Sequence, residues 1–382
     1  MHLDFTHQQE MVRETARDFM RDKFRRDLRK RIDEDGLGCS TATWREMADL
    51  GWMGLAIPEE YGGVGMGFLE LAILLEEMGR VRPVSAFFST VVLGGLPIQA
   101  LGTEDQKKAF LPGIAAGEAI WTLALAEESA SHDAAAIRMK AVAEGGSYVL
   151  NGVKLFVPAA HVADRMLCAA RTSEGSGPGG GITIFIVDAK SPGVTCVPWR
   201  ALNDDMLGEV TFSDVRVPAG NILGRIDEGW EDLQRMLDQA AVAKCCEMVG
   251  GSRQVLEMTV DYAKERKQFG LPIGSFQAVQ HHCANMLSDV DSSWLISYEA
   301  AWRISAGLTY SVEASMAKAW VSAACRRVAT LGHQVHGGVG LIDEHDLPQY
   351  FKAAKVAELA FGDARFHTRQ LARRLGYASA SA

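Results

Sequence analysis

Several common features are scarce or missing in this chain, and each shortage narrows what it is. Its 382 residues hold seven cysteines, Cys39, Cys168, Cys196, Cys245, Cys246, Cys283 and Cys325, with no Cys-x-x-Cys pair among them. An odd count without paired spacing argues against a disulfide framework and fits a reduced, cytoplasmic protein. Long apolar runs are missing too: the longest apolar region, residues 86–101, is interrupted by Ser89, Thr90, Gly94, Gly95, Pro97 and Gln99. With no basic-then-apolar leader at its start, the chain is expected to be neither secreted nor membrane-spanning. Positive charge is in deficit, with a formal net charge of -9 and a pI near 5.6. A nucleic-acid partner would need a basic stripe, so none is expected. The local basic run at 21–31 is interleaved with Asp22 and Asp27 and reads as a solvated helix face.

What is present is an ordinary globular composition, 48% hydrophobic and 23% charged, long enough for two or three domains. The first third reads helical. Thr6 with Gln9 makes a capping-box pattern ahead of Met11, Val12, Ala16, Phe19 and Met20 at helical spacing. Further helices are expected near 41–50, 68–79 and 104–115, with a Pro-Gly turn at 58–63 between them. From about Trp121 the period shortens. Runs at 121–126, 148–150, 166–170, 182–187 and 209–212 read as strands of an antiparallel barrel or sandwich, with 172–181 a flexible loop. After Gly229 long helices return at 230–267, 275–306, 311–331 and 349–375, as in a helical bundle. The expected division is a helical domain at 1–119, a β domain at 120–228 and a helical bundle at 229–382, an α+β fold.

Two runs in the last part carry more information. Residues 266–280 read RKQFGLPIGSFQAVQ and residues 334–340 read QVHGGVG. They resemble the flavin-binding signatures of the acyl-CoA dehydrogenase family, and the resemblance covers nearly the whole chain. It implies FAD as cofactor, an acyl-CoA substrate and an electron-transfer flavoprotein as reoxidant. It also implies that Arg266, Phe269, Gln277 and Gln334 reach across a subunit interface to the ADP half of a neighbour's FAD, with Gly337 and Gly338 admitting its backbone approach. A guanidinium suits a pyrophosphate, which accepts paired charge-assisted hydrogen bonds. Taken alone, Arg266 is equally a surface salt-bridge arginine, and Gly337 and Gly338 a helix C-cap.

The chemical half departs from the family. Where relatives carry Lys-Ile-Tyr-x-Ile-Tyr-Glu-Gly-Thr, whose Glu removes the α-proton, residues 355–363 read KVAELAFGD and Phe361 takes the Glu position. The alternative base location on an earlier helix is filled by Ala240 and Ala241. Glu358, about 4.5 Å along the axis from Phe361 if the segment is helical, and Asp363 are substitute acids. Either is also a solvent-facing or ion-paired carboxylate. Glu247, about 10 Å along the helix from Ala240, is too far to stand in. His281, His282 and His336 read as structural or interface groups rather than bases, without a metal-ligand pattern. On the flavin-ring side, Ala126, His132, Pro158, Asp363 and Arg365 replace family contacts, and a proline offers no N–H.

An intact ADP clasp beside an eroded ring site is what the resemblance implies for the base-lacking subunit of a heterotetrameric α2β2 steroid side-chain acyl-CoA dehydrogenase. The residues leave two alternatives open: a self-sufficient homotetrameric flavoprotein with an unusual base, and a flavin-free scaffold or acyl-CoA-binding protein.

Overall fold

The computed structural model describes residues 4–24, 39–81, 86–129, 131–175, 177 and 179–377. Positions 25–31 of the basic run and positions 176 and 178 of the glycine-rich loop lie outside them. In chain order the helices are α1 (His7–Lys23), α2 (Thr41–Asp49), α3 (Phe68–Val81), α4 (Leu96–Leu101), α5 (Glu104–Ala115), α6 (Gly229–Glu265), α7 (Gln277–Ser305), α8 (Ser311–His336), α9 (Leu347–Leu359) and α10 (Ala364–Arg374). The strands are β1 (Trp121–Ala124), β2 (Lys140–Glu144), β3 (Ser147–Pro158), β4 (Arg165–Arg171), β5 (Ile182–Asp188), β6 (Val194–Arg200), β7 (Met206–Pro218), β8 (Ile222–Leu223) and the short pair β9 (Lys267–Gln268) and β10 (Leu271–Pro272). The order is helical, then β, then helical, as the sequence suggests.

By its contacts the chain forms two compact units. The first gathers the described residues of Arg26–Gly67 and Val84–Leu237. Its centre is an eight-stranded sheet in the order β6-β7-β3-β2-β4-β5-β8, with β1 beside β4. Leu150, Met166, Cys168, Phe185, Val210 and Phe212 form much of its buried core. The sheet is not wholly antiparallel, since β1 runs parallel to β4; the forty residues between them are ample for the crossover a parallel pair requires. Strands β2 and β6 escape the hydrophobic pattern because they are mostly exposed or half-buried. β6 is an edge strand that carries Pro198, which only an edge tolerates readily.

The second unit gathers the described residues of Met1–Arg25, Phe68–Pro83 and Asp238–Ala382. The Thr6–Gln9 capping box opens α1. That helix is tied to α3 by Arg17 to Glu77 and by Gln9 Nε2 to Glu70 Oε1 at 2.8 Å. In turn α3 joins α7 through Tyr298, whose hydroxyl donates to Glu76 at 2.7 Å. Burial pushes the Glu76 carboxyl above its usual range, so a phenol donor is well placed there. Val255, Leu256, Met286, Val290, Val328, Leu347 and Tyr350 make the core of α6 to α9. One expectation is corrected. The helix expected over 349–375 is two helices, α9 and α10, separated at 360–363, where Phe361 has φ 57 and Gly362 has φ 98.

Candidate flavin-binding surface and the turn at Phe361

At one end of the helical unit the C-terminus of α6, the N-terminus of α7 and the C-terminus of α8 come together. Tyr262 on α6 stacks on His336 of α8 with ring centroids 4.5 Å apart, which fixes these two helix ends side by side. His336 is buried, with Nδ1 2.8 Å from the Gly332 carbonyl, and burial lowers its pKa. It is a neutral structural group there, in keeping with the sequence reading. His281 is exposed and His282 half-buried on the first turns of α7. No cluster of metal-ligating side chains occurs among the described residues.

From this end projects the β9–β10 hairpin, with Leu271 opposite Gln268 and Pro272 opposite Lys267. Its two-residue tip is Phe269–Gly270, with φ 54 and φ 82. Both signs are those of a type I′ turn, whose first position favours Asn or Asp. A phenylalanine there is strained, and this one is 93% exposed. Strain and exposure together cost the isolated chain stability, offset within it only by an edge-on contact with the Phe276 ring at 6.2 Å between centroids. Arg266 precedes the hairpin, Gln277 opens α7, and Gln334 lies in the last turn of α8, all three exposed. Gly337 caps α8 in the left-handed region, its N–H donating to His333 O. A Cβ added at Gly337 or at Gly338 would meet nothing within 4 Å, so open space lies beside both. Exposed donors and an uncovered diglycine backbone around a protruding aromatic suit the ADP half of a dinucleotide.

Of the ring-side positions, Ala126, His132 and Pro158 lie in the other unit, where the surroundings do not suit a flavin ring as well. The Glu127 carboxylate takes Lys154 Nζ at 2.7 Å and the backbone N–H groups of Arg138 and Met139 at 2.9 and 3.1 Å. Lys154 is fully buried and also donates to Leu125 O. This knot holds Ala126, whose side chain is only a methyl and whose carbonyl is used by Leu155 N. Pro158 ends β3, its carbonyl accepting from Thr122 Oγ1. Phe156, half-exposed with φ 56, stands edge-on to Trp199. A cleft of about 650 Å³ lined by Glu127, Glu128, Ser129, Ala136, Arg138, Val153 and Leu155 opens alongside. Sequence reading missed it: Glu127, Glu128 and Ser129 belong to the run at 126–133 that departs from the family, but the other four lining residues belong to no motif.

The turn after α9 settles the environment of each candidate acid. Phe361 is half-buried at a left-handed position, so Glu358 is not related to it by helical geometry as expected: α9 ends at Leu359. Glu358 is buried and ion-paired to Arg326 at 3.1 Å and to Lys355 at 3.3 Å. Asp363 is the N-cap of α10, accepting from Phe366 N at 2.7 Å. Ala240 and Ala241 are fully buried, and Glu247 is held by Lys244 Nζ at 2.9 Å. Arg365 is exposed in the first turn of α10.

Comparison with known proteins places this architecture. Residues 6–118, 122–215 and 227–376 match the N-terminal, middle and C-terminal domains of acyl-CoA dehydrogenase. The chain is 32% identical to a probable acyl-CoA dehydrogenase, YngJ, of Bacillus subtilis (strain 168), over 98% of this chain and 100% of that one. It is also 32% identical to CarC, a subunit of the caffeyl-CoA reductase-Etf complex of Acetobacterium woodii, covering 92% and 94% of the two chains. Among solved structures, a variant of the steroid acyl-CoA dehydrogenase Tcur3481-Tcur3483 superposes with a TM-score of 0.87 at 29% identity, over 97% of this chain and 98% of that one. The chain belongs to the acyl-CoA dehydrogenase family of FAD-dependent oxidoreductases.

Proposed function

We propose that this chain is the base-lacking subunit of an α2β2 acyl-CoA dehydrogenase. In this reading it lends Arg266, Phe269, Gln277, Gln334, Gly337 and Gly338 to the ADP half of FAD, while a homologous partner subunit supplies the ring pocket and the carboxylate that removes the α-proton. The observation that carries it is the turn at 361: Phe361 has no acid–base chemistry, Glu358 is committed to Arg326 and Lys355, and Asp363 caps α10. A positioned base contributes about 10²- to 10⁴-fold in rate, roughly 3 to 5 kcal/mol of barrier. A chain without one folds normally and turns over poorly by itself.

FAD, when bound, supplies the hydride acceptor for the β carbon of the acyl-CoA, and an electron-transfer flavoprotein reoxidises it. The similarity to a subunit named for its Etf complex supports that partner. The steroid enzyme among the structural neighbours supports a steroid-derived acyl group as substrate and, by its paired name, an assembly of unlike chains. The domain division at 1–119, 120–228 and 229–382 belongs to the same reading, as does the cytoplasm, supported by seven cysteines that form no disulfide. Among the described residues no helix is long and apolar enough to cross a membrane.

Co-expression with homologous acyl-CoA dehydrogenases tests the proposal. A stable mixed complex that oxidises an acyl-CoA where neither chain does so alone is the expected result. A chain that never co-purifies with a homologue, yet dehydrogenates acyl-CoA unaided, overturns it.

A further inference from the structure

Lys318, the eighth residue of α8, is fully buried. Its ammonium is met by oxygens alone: the carbonyls of Ala357 at 3.0 Å, Glu358 at 2.9 Å and Gly362 at 2.9 Å, and the Ser322 hydroxyl at 3.1 Å. Two of those carbonyls belong to the last turn of α9 and the third lies beyond the break, so one cation bridges both sides of Phe361. The last carbonyls of a helix have no intrahelical partner and carry its negative dipole end, and a buried cation answers both.

The carbonyl of Phe361 itself is held separately. His367 Nε2 lies 2.9 Å from Phe361 O, with its Nδ1 3.5 Å from Ser315 Oγ. Gly362 has no room to vary, because a Cβ there would stand 2.3 Å from Phe366 Cδ1. A non-glycine residue in the left-handed region brings its Cβ too close to the following carbonyl oxygen, and bulky residues are seldom found there. The backbone at 361 therefore keeps its conformation only while its surroundings impose it. The surroundings that span it on both sides meet at one atom, Lys318 Nζ.

We propose that Lys318 is the positioning residue for side chain 361: by clamping the carbonyls of Ala357, Glu358 and Gly362 it fixes the left-handed turn and so displays residue 361 in a single orientation. This concerns geometry and holds whether or not a partner supplies the base; only its consequence for turnover rests on the function proposed above.

The test reads the orientation of residue 361 directly. The full-length chain is prepared with 4-fluorophenylalanine at 361, and in a second sample at Phe5, which lies in the same helical unit beside Trp294 and Tyr298. Both are followed by fluorine NMR in the parent chain and in Lys318→Met. The milder Lys318→Gln, uncharged and with two donors for three carbonyls, serves if the Met variant does not fold. One narrow resonance at 361 is expected in the parent. In the variant that line is expected to split or broaden severalfold while the Phe5 line stays in place. Lys318→Cys alkylated to the aminoethyl thioether, which restores an ammonium at nearly the same reach, is expected to return the parent line. A folded variant with an unshifted narrow line at 361 overturns the proposal. So does an equal disturbance at Phe5, or a failed rescue. Turnover of the mixed complex is measured alongside: a displaced line at 361 with unchanged kcat and KM leaves the positioning role standing and counts only against a role for the turn in that enzyme.

Discussion

A Cβ placed on Gly250 would stand 1.8 Å from the carbonyl oxygen of Glu76, and one on Gly79 would stand 1.9 Å from the carbonyl oxygen of Glu247. Helices α3 and α6 thus cross backbone to backbone, each using a glycine to admit the other. In an open helix Gly→Ala stabilises by roughly 1 kcal/mol. Here the obstacle is a main-chain oxygen that cannot step aside, so the clash decides the sign. Gly250→Ala is expected to destabilise the chain by about 2 kcal/mol or more, read as a lowered urea midpoint with unchanged slope.

Gly338 gives the contrasting case. A side chain there meets nothing within 4 Å, so Gly338→Val should leave the thermal midpoint of the chain where it is. If the diglycine backbone lies against a dinucleotide, the same substitution weakens FAD retention by the mixed complex about tenfold, or 1.4 kcal/mol. Equilibrium dialysis of FAD against the complex provides the number; retention equal to the parent's would remove Gly338 from the site.

Phe269 should show opposite effects on stability and on assembly. Asn tolerates positive φ and suits the first position of a type I′ turn. Phe269→Asn is therefore expected to stabilise the isolated chain by up to about 1 kcal/mol, while weakening assembly and flavin binding. Calorimetry of the chain and gel filtration of the complex check the two halves. Lower stability of the variant chain would mean that the contact with Phe276 outweighs the backbone strain at 269.

Glu358→Gln and Asp363→Asn separate a borrowed base from an internal one. Asn also caps helices, so Asp363→Asn costs little stability, and Glu358→Gln loses pairs to Arg326 and Lys355, which are both partly exposed. With the base on the partner, kcat of the complex should stay within about twofold of the parent for both. A fall of about 10² or more, the usual size of a general-base effect, would identify the acid concerned as the base.

Lys318 predicts an uncommon pH dependence. Burial lowers its pKa to about 8 from 10.5, with Lys244 opposing its charge and Cys245, Cys325 and Glu358 favouring it. A base whose pKa is depressed on folding binds fewer protons in the folded chain than in the unfolded one between those two values, so its contribution to stability rises with pH across the window. The penalty is complete below about pH 8 and relieved toward pH 10.5, a difference of about 3 kcal/mol. The stability of the parent minus that of Lys318→Gln, measured in urea at several pH values, should therefore increase from pH 8 to 10.5; a flat difference would mean that Lys318 titrates as it does in water.

The sequence announces the long elements and hides the turns that matter. Thr6–Gln9, the residues of α5 and the bundle helices follow from capping and period, because an amphipathic face repeats its signal over many turns. The break at 360–363 does not, because Phe361 is an ordinary helical residue by propensity and the left-handed turn is imposed by Lys318, more than forty residues away. The exposed tip at Phe269–Gly270 is legible only by resemblance, since a Phe-Gly pair is not a favoured hairpin turn. The Lys154–Glu127 knot is half legible: Glu127 sits in a run that resembles a family motif, but a buried lysine looks like a surface lysine until its strand is placed.

The central claim is that this chain clasps a flavin which it cannot hold alone. It is tested most directly by the FAD content per chain of the protein expressed and purified by itself, from its visible absorbance after gel filtration. Little or no flavin is predicted, with FAD appearing only when a homologous partner is co-expressed. A full equivalent of FAD on the isolated chain would contradict the account and make it a self-sufficient flavoprotein.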